Sequence, residues 1–595
     1  MNNIIINIFR PNFLWVFILI LGVLTFSVPS FDVPSDMAWY MNLGMNISMG
    51  KGFVDTDGTP VTSRGPLFPL MIALSFLLFG ISVESAFMPV RIFAVLNALL
   101  LYFIGEKFYN KKVGFAAALL VLTSYSINFW SFRHLDAVWP FFVLFSIFSI
   151  YLYSENKSYL WSLLSGAALA LAILTKEASL VFIPLPLLAL VFIKALRNKK
   201  GFYGVLYLYA ALISVLFIFI ISSYFLFGNI GWISLKNSII PKAVNLAPIV
   251  SGEGMFAVLS SYSKGVFLYF YSHNHSNALN HNFSVFPLFI IACIFTLFRA
   301  LKGNKADILL LISLVLFTPI LYRVGMMNFR VGQTILFLLL VYLATANLLW
   351  ISVVYVTRKC AVFLKGAAIN SVKVVNLSFI FIILLIVSIQ FFCGSSRNIY
   401  FFGRAFMDSS FVKNIAAAFN INVPNRSKGI YYGGEGFPGV ISWVNRSIPV
   451  GSRIISDELY LARALYFWTK GQYPVYTMNF KESRDRDSLS TPGDKVIFLS
   501  ARLNQCDPRN RFYALEESDF LSSIAKNNIS YVFISLPGPG IISYFDDNRG
   551  FDKIAQFNRP GINVFKTNKP AARKDFKTVI STQAHILLDC LMNKN

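Results

Sequence analysis

The sequence predicts a polytopic α-helical membrane protein with a C-terminal soluble α/β domain. Hydrophobic residues make up 56% of the chain and charged residues 13%, whereas soluble domains carry about 25% charged residues. Long apolar stretches recur between residues 13 and 393, and stretches of about 17 residues or more can cross a hydrocarbon core of about 30 Å. Residues 394–595 are more polar and resemble a soluble domain. We therefore predict a membrane domain over 1–393 and an α/β domain over 394–595.

The apolar segments and the basic loops between them predict a topology. The candidate spans are 13–31, 66–82, 86–106, 113–131, 137–153, 159–175, 178–195, 203–227, 283–301, 306–322, 331–356 and 374–393. The first run is longer than the apolar region of a signal peptide and lacks an A-x-A site, which favours a retained span. Basic loops favour the cytoplasmic side, and they all fall there only if 66–82 lies along the interface or re-enters.

We predict about 11–13 transmembrane helices, and this topology has eleven crossings plus one juxtamembrane helix at 66–82. It places the loops 32–65 and 228–282 and the C-terminal domain outside the cytoplasm, and it indicates a multi-pass protein of the plasma (inner) membrane. The formal net charge of +24 does not indicate nucleic-acid binding, because many basic residues occupy short loops between apolar spans, where membrane topology requires them.

The C-terminal region alternates between helical and β-rich segments. Helical stretches at 439–448 and 460–471 precede the strand-like runs RIISD and PVYTM, and further runs KVIFLSA, SYVFIS and INVFKT follow. This alternation is typical of a small α/β layer domain. No Gly-rich phosphate-binding loop opens any of these helices, so a nucleotide-binding role has no support. Cys506 and Cys590 allow one disulfide, but no cysteine framework or metal spacing is present.

The first outer loop contains candidate catalytic and binding residues. Asp36 follows the first span and is succeeded by Trp39 and Tyr40, and the loop ends in Arg64-Gly65-Pro66. A carboxylate beside an apolar surface can act as a base toward an acceptor hydroxyl, and a guanidinium can bind a phosphate with two hydrogen bonds. The alternative is an interfacial amphipathic helix with solvated charges.

Further charged residues lie at the predicted outer ends of later spans. Asp136 precedes a long apolar span, where it could also serve as the N-cap of the following helix. Lys176 and Glu177 separate two spans and could simply pair with each other. Arg323 and Arg330 bracket an outer loop and could hold a lipid phosphate, although basic residues at this depth also anchor topology.

The outer loop 228–282 ends in a histidine-rich stretch. His273, His275 and His281 could ligate zinc, but no cysteine partner or helical i, i+4 pair accompanies them. A solvated loop is the alternative. The sequence predicts no specific cofactor, and it leaves open whether the protein uses a divalent metal ion.

The order of these features resembles the GT-C glycosyltransferases, specifically the group of protein O-mannosyltransferases and aminoarabinose (lipid A) transferases. The resemblance is carried by the acidic residue and Tyr of the first loop, Arg64-Gly65-Pro66, the acidic residue before a later span, the segment LTKE, and a late Arg. It covers residues 13–393. The C-terminal region resembles that of the family only in being a soluble α/β domain. The first-loop Asp-Glu pair of the family is Asp36-Met37 here, and its Pro-Pro is Gly65-Pro66.

The resemblance implies a glycosyltransferase that uses a polyprenyl-phosphate sugar donor on the outer face of the membrane and inverts the anomeric carbon. It places Asp36 and Asp136 at the two acidic positions, where Asp36 would deprotonate or orient the acceptor hydroxyl and Asp136 would assist it or position the donor. It places Arg64 and Arg330 at the basic positions, where we expect them, with Lys176 and Arg323, to hold the departing phosphate. The acceptor could be a lipid, a protein or a polysaccharide, and the enzyme would also contact membrane lipids. The alternatives are a transporter or flippase of lipid-linked sugars, and a glycan polymerase or ligase. A transporter would carry internal repeats and interrupted helices, which the sequence lacks.

Overall fold

The computed structural model describes most of the predicted membrane domain and the strands of the predicted C-terminal domain. The residues described are 13–26, 35–58, 60–61, 65–124, 135–227, 286–320, 335–363, 375, 378–386, 437–456, 459–482, 496–501, 524–525, 528–535, 551–557, 562–568 and 577–578. The whole outer loop 228–282 lies outside them.

The described part of the chain before residue 394 is helical in its regular elements. Its helices are α1 (Phe13–Phe26), α2 (Ser35–Ser48), α3 (Leu67–Phe79), α4 (Val83–Phe108), α5 (Lys111–Thr123), α6 (Val138–Asn156), α7 (Tyr159–Thr175), α8 (Leu185–Phe192), α9 (Lys199–Phe227), α10 (Phe286–Leu301), α11 (Lys305–Leu316) and α12 (Ile335–Phe363). Side-chain caps fix the start of two of them. Asn110 accepts hydrogen bonds from backbone N–H groups of α5, and Asn304 does the same for α11, which satisfies donors that a helix start leaves open.

Several of these helices suit a bilayer by length and composition. Among the described residues, four are long and apolar enough to cross a membrane: Val83–Phe108, Val138–Asn156, Lys199–Ser222 and Ile335–Thr357. Helix α9 leaves Phe217 60% and Phe225 79% exposed. Large exposed apolar surfaces need a lipid or protein covering. The chain is therefore a polytopic helical membrane protein, as the sequence predicts.

The predicted apolar segments 178–195 and 66–82 both contain short helices. The segment 178–195 is not one continuous α-helix, because a 3₁₀ helix at Glu177–Phe182 precedes the short helix α8. Pro184 and Pro186 at this junction lack the N–H group that a continuous helix needs. Helix α3 has 13 residues and is thus about 20 Å long, too short for one straight pass through about 30 Å of hydrocarbon.

The chain forms two compact units that interleave along the sequence. The first comprises the described parts of Met1–Ser30, Arg64–Phe68 and Phe87–Asn425, and the second those of Phe31–Ser63, Pro69–Ala86 and Arg426–Asn595. The first outer loop thus groups with the C-terminal region, whereas the predicted domain boundary divides the chain at residue 393. That boundary stays a prediction.

In the first unit, α6 packs on α7, α7 on α9, and α12 on α5 and α10. A buried ionic cluster joins α10 to α11. Arg299 Nε donates to Asp307 Oδ2 at 2.6 Å, and Tyr109 Oη donates to Asp307 Oδ1 at 2.7 Å. The Asp307 side chain is fully buried, so these bonds compensate a charge that would be costly alone.

In the second unit, α2 is surrounded by other elements. All of its residues from 37 to 46 are buried. On the side of α3, a Cβ atom at Gly44 would lie 2.5 Å from Ile72 Cγ2, so only glycine fits at this contact. Residues 37–46 therefore present no solvated face, because tertiary contacts cover them. The alternative of an interfacial helix with solvated charges concerns Asp36 and Arg64, whose side chains lie outside the description, so it stays open.

The C-terminal region of the second unit is a mixed α/β sheet domain. Its described elements are α13 (Phe437–Ser447), β1 (Arg453–Ser456), α14 (Leu459–Trp468), β2 (Val475–Glu482), β3 (Val496–Ala501), β4 (Ile529–Ile534), β5 (Phe551–Phe557), β6 (Ile562–Thr567) and β7 (Lys577–Thr578). The strand order is β5-β6-β4-β1-β2-β3-β7. Strand β1 pairs parallel with β2 and β4, while β2–β3, β4–β6 and β5–β6 are antiparallel. Helix α14 packs on β1 and β2 and on α2.

Candidate functional site

Asp136 lies at the start of a long membrane helix. It belongs to a 3₁₀ helix, Leu135–Ala137, that leads directly into α6, and it is 5% exposed. The residue that caps α6 is Ala137, which makes no side-chain capping bond. The alternative role of Asp136 as the N-cap is therefore wrong.

The carboxylate of Asp136 instead forms a buried ion pair with Lys176. Lys176 Nζ donates to Asp136 Oδ1, and the two side chains are 13% and 6% exposed. The interpretation in which Lys176 simply pairs with Glu177 is wrong, because this ammonium is bound to a carboxylate 40 residues away. Lys176 caps the C-terminus of α7, and a cation at that end of a helix is favoured by the helix dipole.

An aromatic side chain lies beside the ion pair. Lys176 Nζ is 5.9 Å from the ring centroid of Trp139, and the Trp139 ring stacks on Phe317 at 6.5 Å. A cation at this distance from an indole ring is attracted by the ring's quadrupole. Trp139 follows Asp136 by three residues, so the sequence already places both near one helix start.

A polar residue of α4 fixes the turn that carries Asp136. Asn97 Nδ2 donates to Ala137 O at 2.6 Å, and Asn97 is buried. The sequence reasoning missed this residue. Its signal is an amide in an otherwise apolar span, where a polar group must find a hydrogen-bonding partner.

The segment after Arg64 approaches the end of α7 that carries Lys176. A Cβ atom at Gly65 would lie 2.3 Å from Leu174 O and 3.0 Å from Thr175 O. Only glycine permits this backbone approach. Gly65, Lys176 and Asp136 thus belong to one part of the first unit.

The remaining predicted site residues lie elsewhere or outside the described residues. Asp36 is the second residue of α2, although its side chain is outside the description. Tyr40 lies on the same helix, 3% exposed, with its ring stacked on Trp39 at 6.5 Å. The other candidates lie outside the described residues: Arg64, Arg323, Arg330, His273, His275 and His281.

Within the described ranges, no group of three or more His, Cys, Asp or Glu side chains could hold a metal ion. The predicted histidine site falls outside those ranges, so it stays a prediction. Among the described candidates, the structure brings together Asp136 and Lys176, to which it adds Asn97 and Trp139.

Comparison with known proteins finds similarity to membrane glycosyltransferases. Residues 63–222 match the family described as dolichyl-phosphate-mannose-protein mannosyltransferase. The matched segment contains Arg64, Gly65, Asp136 and Lys176. Among curated proteins, no sequence matches the chain significantly.

Solved structures share the fold over most of the chain. ArnT from Cupriavidus metallidurans bound to undecaprenyl phosphate aligns with a TM-score of 0.52 and 13% identity, covering 93% of this chain and 97% of that chain. The Archaeoglobus fulgidus oligosaccharyltransferase tethered with an acceptor peptide aligns with a TM-score of 0.54 and 14% identity, covering 88% and 69%. The oligosaccharyltransferase AglB from the same organism, in complex with an inhibitory peptide and a dolichol-phosphate, aligns with a TM-score of 0.50 and 14% identity. The alignment covers 88% of this chain and 69% of that chain. The chain therefore has the GT-C fold of membrane glycosyltransferases.

Proposed function

We propose that this chain transfers a sugar from a polyprenyl-phosphate-linked donor to an acceptor on the outer face of the plasma (inner) membrane. The acceptor class is a lipid, a protein or a polysaccharide, and nucleic acid has no part in the reaction. The C-terminal domain would lie outside the cytoplasm, on the same side as the reaction. Two of the similar structures carry a polyprenyl phosphate, which supports this class of donor.

The observation that carries the proposal is the buried pair of Asp136 and Lys176 inside the segment that matches the mannosyltransferase family. A buried ion pair contributes little net stability compared with apolar packing. Ionisable groups in membrane segments are costly and usually functional. Because both residues also lie in the matched segment, unlike the buried pair of Asp307 and Arg299, we infer a chemical role for this pair rather than a purely structural one.

The proposed reaction forms one bond and breaks one. The acceptor hydroxyl oxygen attacks the anomeric carbon of the sugar, and the bond from that carbon to the phosphate oxygen breaks. The electron pair leaves with the polyprenyl phosphate, and the hydroxyl proton passes to the carboxylate of Asp36. The anomeric configuration inverts, as displacement from the opposite side requires. No nucleotide takes part.

Lys176 and the arginines would stabilise the departing phosphate. An ammonium has three N–H donors, and the Asp136 carboxylate accepts one of them from Lys176. The others can be donated to a phosphate. In this proposal Asp136 positions Lys176, while Arg64, Arg323 and Arg330 add guanidinium donors to the charge that develops on the leaving group. Tyr40 stays a proposed substrate contact.

A transfer assay tests the proposed function. Purified full-length protein in lipid nanodiscs is given undecaprenyl-phosphate-linked hexoses or pentoses together with lipid, protein and polysaccharide acceptors. We expect acceptor-dependent release of undecaprenyl phosphate, measured by mass spectrometry. Movement of intact donor across vesicles without bond cleavage would instead identify a flippase, and repeated extension of one glycan would identify a polymerase.

The residues proposed to bind the donor phosphate, Arg64, Arg330, Arg323 and Lys176, form a phosphate clamp, which makes a separate prediction. Each charge-assisted hydrogen bond is worth about 1.5–3 kcal/mol, so Arg64→Ala or Arg330→Ala should raise the apparent KM for the donor about ten- to hundredfold. Lys at either position should rescue only partly, because an ammonium lacks the paired donors of a guanidinium. Donor titration at saturating acceptor measures the effect.

A matched control for the clamp is Arg446→Ala. Arg446 is an exposed residue of α13 whose Nε donates to Ser442 O of the same helix at 3.1 Å. This change should leave the donor KM unaltered. If both clamp variants behave like the control, Arg64 and Arg330 are topology anchors and have no part in the mechanism.

A further inference from the structure

The helix that carries Asp36 is attached to the C-terminal helix α14 by a row of polar contacts within the second unit. Trp39, Asn42 and Asn46 are spaced i, i+3 and i+7 on α2 and therefore share one face. Asn42 Nδ2 donates to Arg463 O at 3.1 Å. The Arg463 guanidinium lies 5.0 Å from the ring centroid of Trp39. This face of α2 is bound to residues that lie more than 400 positions later in the chain.

The shortest of these contacts joins Asn46 to Tyr466. Tyr466 Oη donates to Asn46 Oδ1 at 2.6 Å, and Asn46 Nδ2 donates to Val54 O at 2.8 Å. Burial raises the pKa of Tyr466 to about 12. The phenol therefore stays protonated at any ordinary assay pH and remains the donor.

The loop that follows α2 is joined to the same region. Lys51 Nζ donates to Gly471 O at 2.7 Å. Thr56 Oγ1 donates to Val475 O at 2.8 Å, and Val475 N donates to Thr56 O at 3.1 Å. Val475 is the first residue of β2, so the sheet domain holds both α2 and the loop after it.

We propose that Tyr466 is a positioning residue for sugar transfer, which fixes the rotation and axial position of α2 and thereby the carboxylate of Asp36. This inference rests on the proposed function, which assigns Asp36 as the base. Asn46 follows Asp36 by ten residues, about 15 Å along the helix axis. A small tilt at Asn46 therefore displaces the start of the helix.

The chemistry makes such a displacement costly. A misplacement of about 1 Å in a reacting group can lower the rate on the order of a hundredfold. In Tyr466→Phe, the aromatic ring and its packing are kept, but Asn46 Oδ1 loses its donor. A buried acceptor without a partner carries a desolvation penalty, so α2 should shift to satisfy it.

The test compares Tyr466→Phe with Tyr473→Phe in the full-length protein. Tyr473 is also buried, and its Oη donates to Ile448 O at 3.0 Å, a bond that lies wholly within the C-terminal region. We expect Tyr466→Phe to lower kcat about tenfold or more, with the donor KM changed less than about twofold. Tyr473→Phe should change kcat less than about twofold.

Trypsin cleavage at Lys51 gives a readout of the attachment itself. Lys51 is exposed, and cleavage there should accelerate in Tyr466→Phe but not in Tyr473→Phe. Faster cleavage with an unchanged kcat would overturn the proposal, since α2 would then be loosened without effect on transfer. Unchanged cleavage together with an unchanged kcat would overturn it too, because the bond would not hold the helix.

A second variant covers the case in which Tyr466→Phe does not fold. Lys51→Gln removes an exposed contact to the same region and should lower kcat in the same direction by a smaller factor; an unchanged kcat would again overturn the proposal. Asp36→Asn separates the positioning role of Tyr466 from the proposed role of Asp36 as the base. It should abolish transfer while Lys51 cleavage stays as in the wild type. Full activity in Asp36→Asn would reject the proposed base, whatever Tyr466→Phe does.

Discussion

Replacement of Asp36 by Asn is expected to abolish sugar transfer while membrane insertion and folding stay intact. Asparagine has nearly the same volume as aspartate but cannot accept the proton of an acceptor hydroxyl. Loss of a general base lowers the rate by about 10²–10⁴-fold. The measurement is kcat for release of undecaprenyl phosphate by purified protein at saturating donor and acceptor.

The control for this prediction is Asp57→Asn. Asp57 lies in the same outer loop and has no role in the proposed chemistry, so its variant should transfer sugar at the wild-type rate. Wild-type activity in the Asp36 variant would restrict Asp36 to a structural role at the start of α2.

The second large effect concerns the buried pair of Asp136 and Lys176. Removal of one member leaves an uncompensated buried charge, which costs about 3–5 kcal/mol of stability. Lys176→Met or Asp136→Asn should therefore lower the thermal unfolding temperature and also reduce transfer strongly. The double variant should recover most of the stability, because no buried charge is left, but it should not recover transfer. Intrinsic fluorescence on heating and kcat per folded molecule measure the two effects.

A second ion pair of the membrane region serves as the matched control. Asp307 is fully buried and bound to Arg299 and Tyr109, but it has no proposed chemical role. Asp307→Asn should lower stability by a comparable amount while kcat per folded molecule stays unchanged. If the Asp136 and Lys176 double variant regains transfer along with stability, the pair is a structural element and the phosphate clamp lacks Lys176.

Local patterns in the sequence predict the class of each part of the chain. The length and continuity of the apolar runs predict membrane helices, because the hydrocarbon thickness sets the number of residues needed. In the C-terminal region, the predicted strands at RIISD, PVYTM, KVIFLSA, SYVFIS and INVFKT are confirmed as β1, β2, β3, β4 and β6. Strand β5 (FDKIAQF) is missed, since its charged and polar residues give it a low β-propensity, and only its pairing with β6 makes it a strand.

The sequence also predicts which charged residues are candidates for the site. Asp136 and Lys176 stand out as charged residues at the ends of apolar spans, where each charge carries a cost that function must justify. Their order along the sequence matched that of a known enzyme group. What remained open was which charged residue each one pairs with.

Only the tertiary structure decided those partners. Local rules left open a helix-cap role for Asp136 and a pairing of Lys176 with Glu177, since neighbours in sequence are the default candidates. The fold instead pairs Asp136 with Lys176 across 40 residues, and it attaches Asn46 to Tyr466 across 420. Helix packing sets such distances, and the periodicity of a single segment contains no information about which other segment will cover it. The sequence by itself determined that this is a membrane protein with charged groups at its span ends, and three-dimensional packing determined how those groups are combined.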